Sequence, residues 1–194
     1  MNLPMKDYQD DIEQCLRVLR SGGLILYPTD TIWGIGCDAT NPQAVDRIYR
    51  LKQREESKSM IVLLADQRDL LKYVAALDLQ VFDYLDSLSR PTTVIYDGAV
   101  QLADNLVHAD GSIGIRIVQD AFCRDLVLRL KKPLVSTSAN ISGMPAPRFY
   151  EEIAAEIRDG VDYIVHYRRD DREPKQPSSV VKWQSGGNIT VIRP

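Results

Sequence analysis

The stretch Tyr27-Pro28-Thr29-Asp30-Thr31-Ile32-Trp33-Gly34-Ile35-Gly36-Cys37-Asp38-Ala39 joins an apolar run, Leu24 to Tyr27, to a helix start at Asn41-Pro42. A proline stops the run, and two threonines, two aspartates and two glycines follow where the backbone has to turn. A strand-to-helix turn of this composition predicts a binding loop, because exposed amides and hydroxyls can converge on a ligand there. Its glycines are expected to serve the turn.

Upstream, Ile12, Cys15, Leu16 and Leu19 recur at helical spacing over residues 7–21, and Gly22-Gly23 ends that helix. Downstream, Asn41 is the expected N-cap and Pro42 the first helical residue, with Ala44, Val45, Ile48 and Leu51 on one stripe. The helix runs into a polar segment ending at Ser59. Met60 to Ala65 then forms an apolar run without alternation, the pattern of a strand covered on both faces. Residues 66–88 read as helical with a break near Asp78, and Thr92 to Tyr96 as a strand. Ser112 to Val118 alternates: Ile113, Ile115 and Ile117 share one face, while Ser112, Gly114 and Arg116 share the other. Gly114 is expected to leave room for a ligand beside Arg116. A helix over Asp120–Leu130 precedes a strand over Pro133–Thr137, and Phe149–Arg158 is the last predicted helix. Strands over Asp162–Tyr167 and Ser178–Trp183 are joined by a highly charged loop, Arg168 to Lys175. Gly186-Gly187 marks a hairpin turn into a final strand, Ile189–Ile192. This interleaving predicts a single α/β domain over 1–194, a twisted mixed sheet flanked by helices.

Composition narrows the function classes. The 194 residues are 44% hydrophobic and 26% charged, which suits a globular protein with a substantial core. A net charge of -3 supplies no global positive field, so any RNA contact would be local. Cys15, Cys37 and Cys123 are odd in number and widely spaced, which favours free thiols in a reducing cytoplasm over a disulfide framework or a zinc site. The acidic N-terminus has no apolar segment of the signal-peptide kind, and the longest apolar run is far too short for a bilayer. The expectation is a soluble cytoplasmic protein without a membrane partner.

Lys52, Arg54 and Lys58 form a basic cluster at and after a helix C-terminus. Dipole complementation explains such a cluster at an ordinary helix end. Its place between a binding-type loop and a buried strand also suits a polyphosphate. Arg116 is a charge in an apolar strand, either paired with Asp30 or Asp38 or left for a ligand, and Arg193 repeats the pattern in the last strand. Ser136-Thr137-Ser138-Ala139-Asn140 puts three hydroxyls and an amide at a strand end, where open α/β sheets bind ligands, although turn chemistry would use the same residues. No G-x-S-x-G elbow or P-loop occurs, and His108 and His166 have no suggestive neighbours. These absences argue against a serine hydrolase, a P-loop enzyme and a protein-bound transition metal. Gly34, Gly36 and Ala39 match G-x-G-x-x-A, but six residues separate them from the strand, against a nicotinamide site.

Taken together, GGLILYPTDTIWGIGCDA, the spacing of Lys52, Arg54 and Lys58, GSIGIRI, PLVSTSANISGMPAP and the closing PSSVVKW…ITVIRP resemble the YrdC-like threonylcarbamoyl-AMP synthase family, from Gly22 to Arg193. The resemblance implies a YrdC-like α/β fold with a concave, positively lined cleft and no additional C-terminal domain. It implies a nucleotidyltransferase that makes threonylcarbamoyl-AMP and pyrophosphate from L-threonine, bicarbonate and ATP. Mg2+ would be held through the ATP phosphates, not by protein side chains. A downstream transferase would then pass the threonylcarbamoyl group to adenosine in tRNA. At the matching positions, Thr29 and Thr31 would hold threonine, and Lys52, Arg54 and Lys58 would contact phosphates, with Arg116 as a further catalytic cation. Ser136, Ser138 and Asn140 would line the adenylate site, while Ser112, Arg116, Ser179 and Arg193 would complete the nucleotide and carboxylate contacts. Ser59 stands where the family usually has proline, Arg90 where it has glycine, and Trp33 where tyrosine is commoner. The alternatives are a nucleotide-binding module in contact with tRNA or double-stranded RNA, and a divergent paralogue acting on threonylcarbamoyl-AMP.

Overall fold

Asn41 caps its helix as the sequence predicts, its side chain accepting from the amides of Gln43 at 3.0 Å and Ala44 at 3.1 Å. The computed structural model describes residues 7–55 and 60–194, so Lys58 and Ser59 lie outside the described residues. The elements in order are α1 Gln9–Arg20, β1 Ile25–Tyr27, β2 Gly34–Gly36, α2 Pro42–Lys52, β3 Ile61–Leu64, α3 Leu70–Tyr73, α4 Val81–Asp86 and β4 Thr92–Tyr96. After them come β5 Ile113–Ile117, α5 Ala121–Leu130, β6 Leu134–Ser138, α6 Ala155–Asp159, β7 Tyr163–Ile164, β8 Ser179–Gln184 and β9 Asn188–Arg193.

The strands form one mixed sheet in the order β7-β1-β2-β6-β3-β5-β4-β8-β9. The pairs β1/β7, β3/β5 and β4/β8 are parallel and the others antiparallel. One face carries the larger core: Leu26, Ile35, Val62, Val94, Ile115 and Val135 pack together with Ile48 of α2 and Ile157 of α6. The other face is divided. Ile25, Tyr27, Leu63 and Leu134 lie under α1 and α5, against Ile12, Leu16, Phe122 and Leu126. Beyond that cover the same face turns polar, and the cleft described below opens there.

The main departure from expectation is β2. Gly34–Gly36 is a strand and not a turn, hydrogen-bonded between β1 and β6. Tyr27 explains why glycine is required. Its ring, buried on β1, crosses β2 so that its hydroxyl reaches Val135 O of β6 at 3.3 Å. A Cβ at Gly36 would lie 2.7 Å from the Tyr27 ring and 2.8 Å from Val135 O. Gly114 also differs from expectation: a Cβ there would meet Thr93 at 3.2 Å and Ile61 at 3.3 Å, so neighbouring side chains already fill the space. The 66–88 region breaks before Asp78, at Val74. This residue is extended and bridges to Ala99, which ends α3 after four residues. The last helix shortens to α6 because Ile153 and Ala154 are extended, with Ile153 buried in the core. The predicted strand over 162–167 is reduced to Tyr163–Ile164.

Past β7 the chain is tied to α1 by Asp11, a buried carboxylate. It accepts from Tyr163 Oη at 2.6 Å, His166 N at 2.9 Å and Tyr167 N at 2.8 Å. Burial pushes the Asp11 carboxyl up, but the donors from His166, Tyr163 and Tyr167 outweigh it and hold the group below its ordinary value. The three cysteines are buried and unpaired. No described helix is long and apolar enough to cross a membrane.

Two stability outcomes follow from these contacts. Gly36→Ala is expected to destabilise the protein by about 1–3 kcal/mol through overpacking against Tyr27 and β6, read from denaturant unfolding. Asp11→Asn should lose about 1.5–3 kcal/mol at pH 7, where the charge-assisted bonds are intact. Because the folded pKa of Asp11 lies below the unfolded one, its contribution is present above the unfolded value and lost as pH falls. The gap between wild type and variant should therefore narrow below about pH 4. A gap independent of pH would contradict this account of Asp11.

Candidate functional site

On the uncovered part of the sheet, the register sets one row of side chains facing the same way. Ser136 pairs with Ile61, Ile61 with Gly114, Leu63 with Arg116, Gly34 with Ser138, and Val180 with Arg193. A cleft of about 340 Å3 opens over them, with Thr31, Arg54, Arg116, Ser136, Ser138 and Arg193 in its lining. The three arginines come from just past α2, from β5 and from β9, and no carboxylate is among the described lining residues.

Arg116 is 3% exposed at its side chain and pairs through Nη2 with Asp30 Oδ1 at 2.9 Å. The expected partner choice thus falls on Asp30, while Asp38 pairs with Lys132 at 2.5 Å. Burial raises the Asp30 carboxyl above its usual value even though the Arg116 cation pulls it down. Arg116 Nη1 also donates to Thr31 Oγ1 at 3.3 Å. Thr31 and Thr29 hydroxyls lie 2.9 Å apart, Thr29 Oγ1 donates to Ile32 O at 2.8 Å, and Thr31 N donates to Thr29 Oγ1 at 3.0 Å. With the Thr29 proton committed to a carbonyl, Thr31 must be the donor between the two hydroxyls. Both hydroxyls are therefore fixed in direction, and each is buried.

The loop after β7 lies against these threonines. Arg168 and Lys175 share with Thr29 and Thr31 the lining of a void of about 20 Å3. Arg168 pairs with Asp120 at 2.6 Å and Lys175 with Asp171 at 3.0 Å. The sequence marks this loop only as charged. Its position over the threonines comes from the parallel pairing of β7 with β1, which no local signal announces.

Several expected residues sit otherwise than as cleft lining. Ser179 belongs to the core-facing row with Val181 and Trp183, and it is Ser178 that lines the cleft, its hydroxyl 2.9 Å from Thr93 Oγ1. Arg193 anchors there through Ser178 O, at 3.2 Å from Nε and 2.7 Å from Nη2. Ser112 is buried at the start of β5, its amide donating to Asp110 at 2.9 Å. Asn140 turns its amide back to Met144 O at 2.7 Å and Ile141 O at 3.0 Å, closing the turn after β6. Lys52 is fully buried, its Nζ donating to the backbone oxygens of Ser138 and Asn140. Burial, and then the Arg54 cation, lower the Lys52 ammonium to about 7, and the two carbonyl acceptors work the other way by favouring its charged form. Burial also lowers Arg54. Arg90 lines a separate cavity of about 420 Å3 with Arg124 and Gln67, and Trp33 lines the cleft, its ring 5.1 Å from that of Tyr150.

The family described as Sua5_yciO_yrdC, "Telomere recombination", matches residues 17–194. The chain belongs to the Sua5/YciO/YrdC family. It is 31% identical over 167 residues to a threonylcarbamoyl-AMP synthase of Photobacterium profundum, covering 84% of this chain and 90% of the relative. It is 30% identical over 174 residues to a threonylcarbamoyl-AMP synthase of Vibrio parahaemolyticus, covering 88% and 93%. Its fold is similar to that of E. coli YciO, with a TM-score of 0.82 at 26% identity over 95% of this chain and 89% of that one. P. abyssi Sua5 complexed with L-threonine shares the fold, with a TM-score of 0.83 at 20% identity. The chain covers 53% of that protein, while 94% of the chain is matched.

Removal of Asp30 leaves the Arg116 guanidinium buried and without its carboxylate, and arginine cannot shed its charge. Asp30→Ala is expected to lose about 3–5 kcal/mol of stability, and a much smaller loss in denaturant unfolding would show that Arg116 finds another partner.

Proposed function

We propose that this chain is an L-threonylcarbamoyladenylate synthase, a nucleotidyltransferase using L-threonine, bicarbonate and ATP. The observation that carries the reading is the cleft of three arginines and several hydroxyls without a described carboxylate, in a family whose relatives at 30–31% identity bear that name. Guanidinium groups suit phosphate oxygens, and a volume of about 340 Å3 falls within the range of small-molecule sites.

The chemistry asks little of a covalent nucleophile. The threonine amine adds to bicarbonate to form a carbamate, with loss of water, and the carbamate attacks the α-phosphate as pyrophosphate leaves. Negative charge builds on the phosphoryl oxygens and the leaving group, so fixed cations lower the barrier. Arg54 and Arg193 line the cleft and are proposed for phosphates, together with Lys58. Arg116, beside Thr31, is proposed for the threonine carboxylate, with the Thr29–Thr31 hydroxyl pair on the amino-acid side. Ser136 and Ser138 would face the adenylate.

Among the described residues no group of three or more His, Cys, Asp or Glu could hold a metal ion. The cleft donors are cations and hydroxyls, a poor match to a divalent cation and a good one to phosphates. Magnesium would therefore arrive on the triphosphate and draw charge from the departing pyrophosphate. The product would feed a cytoplasmic transferase that modifies adenosine in tRNA.

Incubation with ATP, Mg2+, bicarbonate and threonine should release pyrophosphate only when threonine is present. Tight binding of double-stranded RNA without release would replace this reading with a binding module. Consumption of supplied threonylcarbamoyl-AMP without its synthesis would replace it with a hydrolytic paralogue. Arg116→Ala should lose a charge-assisted contact worth about 1.5–3 kcal/mol, or roughly one to two decades in rate or affinity for threonine. Unchanged turnover in that variant rules out the role given to Arg116.

A further inference from the structure

Lys52 ends α2 and grips the turn after β6 at three points. Its Nζ donates to Ser138 O and, at 2.5 Å, to Asn140 O. Its own carbonyl accepts from Ser142 N at 2.8 Å. The turn so held carries Ser138 in the cleft wall and is closed from inside by the Asn140 amide.

None of the Lys52 side chain is exposed, whereas Arg54, two residues on, lines the cleft. To touch a phosphate, the ammonium would have to break two charge-assisted hydrogen bonds and leave two carbonyl oxygens without their donor. We infer that Lys52 is a positioning residue: it locks the 138–142 turn onto the end of α2 and acts on the nucleotide through that turn. The phosphate charge is met by the cleft arginines. The inference rests on the proposed binding of ATP in this cleft.

Charge contact and positioning separate by their response to salt. Screening weakens a direct cation–phosphate contact, so removing one lowers both affinity and its dependence on ionic strength. Removing a positioning residue lowers affinity and leaves that dependence as it was. ATP affinity would be measured across a series of ionic strengths for wild type, Lys52→Met and Arg54→Met. Lys52→Met is expected to bind tenfold or more weakly at every salt concentration with the wild-type slope, while Arg54→Met shows a shallower slope. A shallower slope for Lys52→Met would overturn the inference. Failure of the wild type to bind ATP would instead count against the proposed function.

The native protein gives a second test that needs no variant and no nucleotide. Under brief acetylation read by peptide mass spectrometry, Lys52 should be labelled far more slowly than exposed lysines such as Lys72, and added ATP should not change its rate. Labelling at the surface rate, or marked protection of Lys52 by ATP, would sink the proposal even if Lys52→Met does not fold.

Discussion

A guanidinium buried in a sheet must have a partner, and much of the site follows from how Arg116 finds one. Its strand is otherwise apolar, and its side chain is 3% exposed, so solvent cannot neutralise it. Asp30 meets it at 2.9 Å, which ties the loop between β1 and β2 to β5 and brings Thr31 within 3.3 Å of the same group. The pair joins the loop that holds the threonine hydroxyls to the strand at the centre of the cleft. It adds a buried ion pair to the loop's other anchors, Ala139 N donating to Trp33 O at 3.1 Å and Cys123 Sγ to Pro28 O at 3.4 Å.

A second constraint shapes the floor. Tyr27 must cross β2 to reach Val135 O, and only a strand without a Cβ at Gly36 lets the ring pass. Gly34, one step along the same face, would bring a Cβ to 3.2 Å from Ser136 Oγ. Gly36 thus makes room for the Tyr27 ring, and Gly34 keeps the cleft-facing side of β2 low. The serines of β6 stand clear beside it. The cover supplied by α1 and α5 stops short of this region, and the polar face stays available to a ligand.

Fold and function rest on different grounds. The structural likeness to E. coli YciO and P. abyssi Sua5 establishes how the chain is arranged. The same architecture does not by itself choose a reaction. What favours adenylate chemistry is local: arginines placed on three separate segments, hydroxyls whose protons are already directed, and a buried lysine occupied by the backbone it supports. In this arrangement the charged residues divide into those that can meet a ligand and those that hold the others in position.

The amino-acid sequence by itself determined most of the strands and the capped helix at Asn41, because apolar periodicity and cap chemistry are local. It also determined the family, since PTDT, GSIGIRI and STSAN occur in that order. Asp30 was visible beforehand as one of two candidate partners for Arg116. Tertiary structure decided between them, as it decided that Gly34–Gly36 is a strand. Both outcomes depend on neighbours distant in sequence: β5 in one case, β1 and β6 in the other. Ser178 in place of Ser179, and Lys52 turned into the backbone instead of toward the cleft, were illegible for the same reason. Which face a residue presents at a strand's start depends on the register with its partner strand. Where a lysine ends depends on which carbonyls the fold brings within its reach.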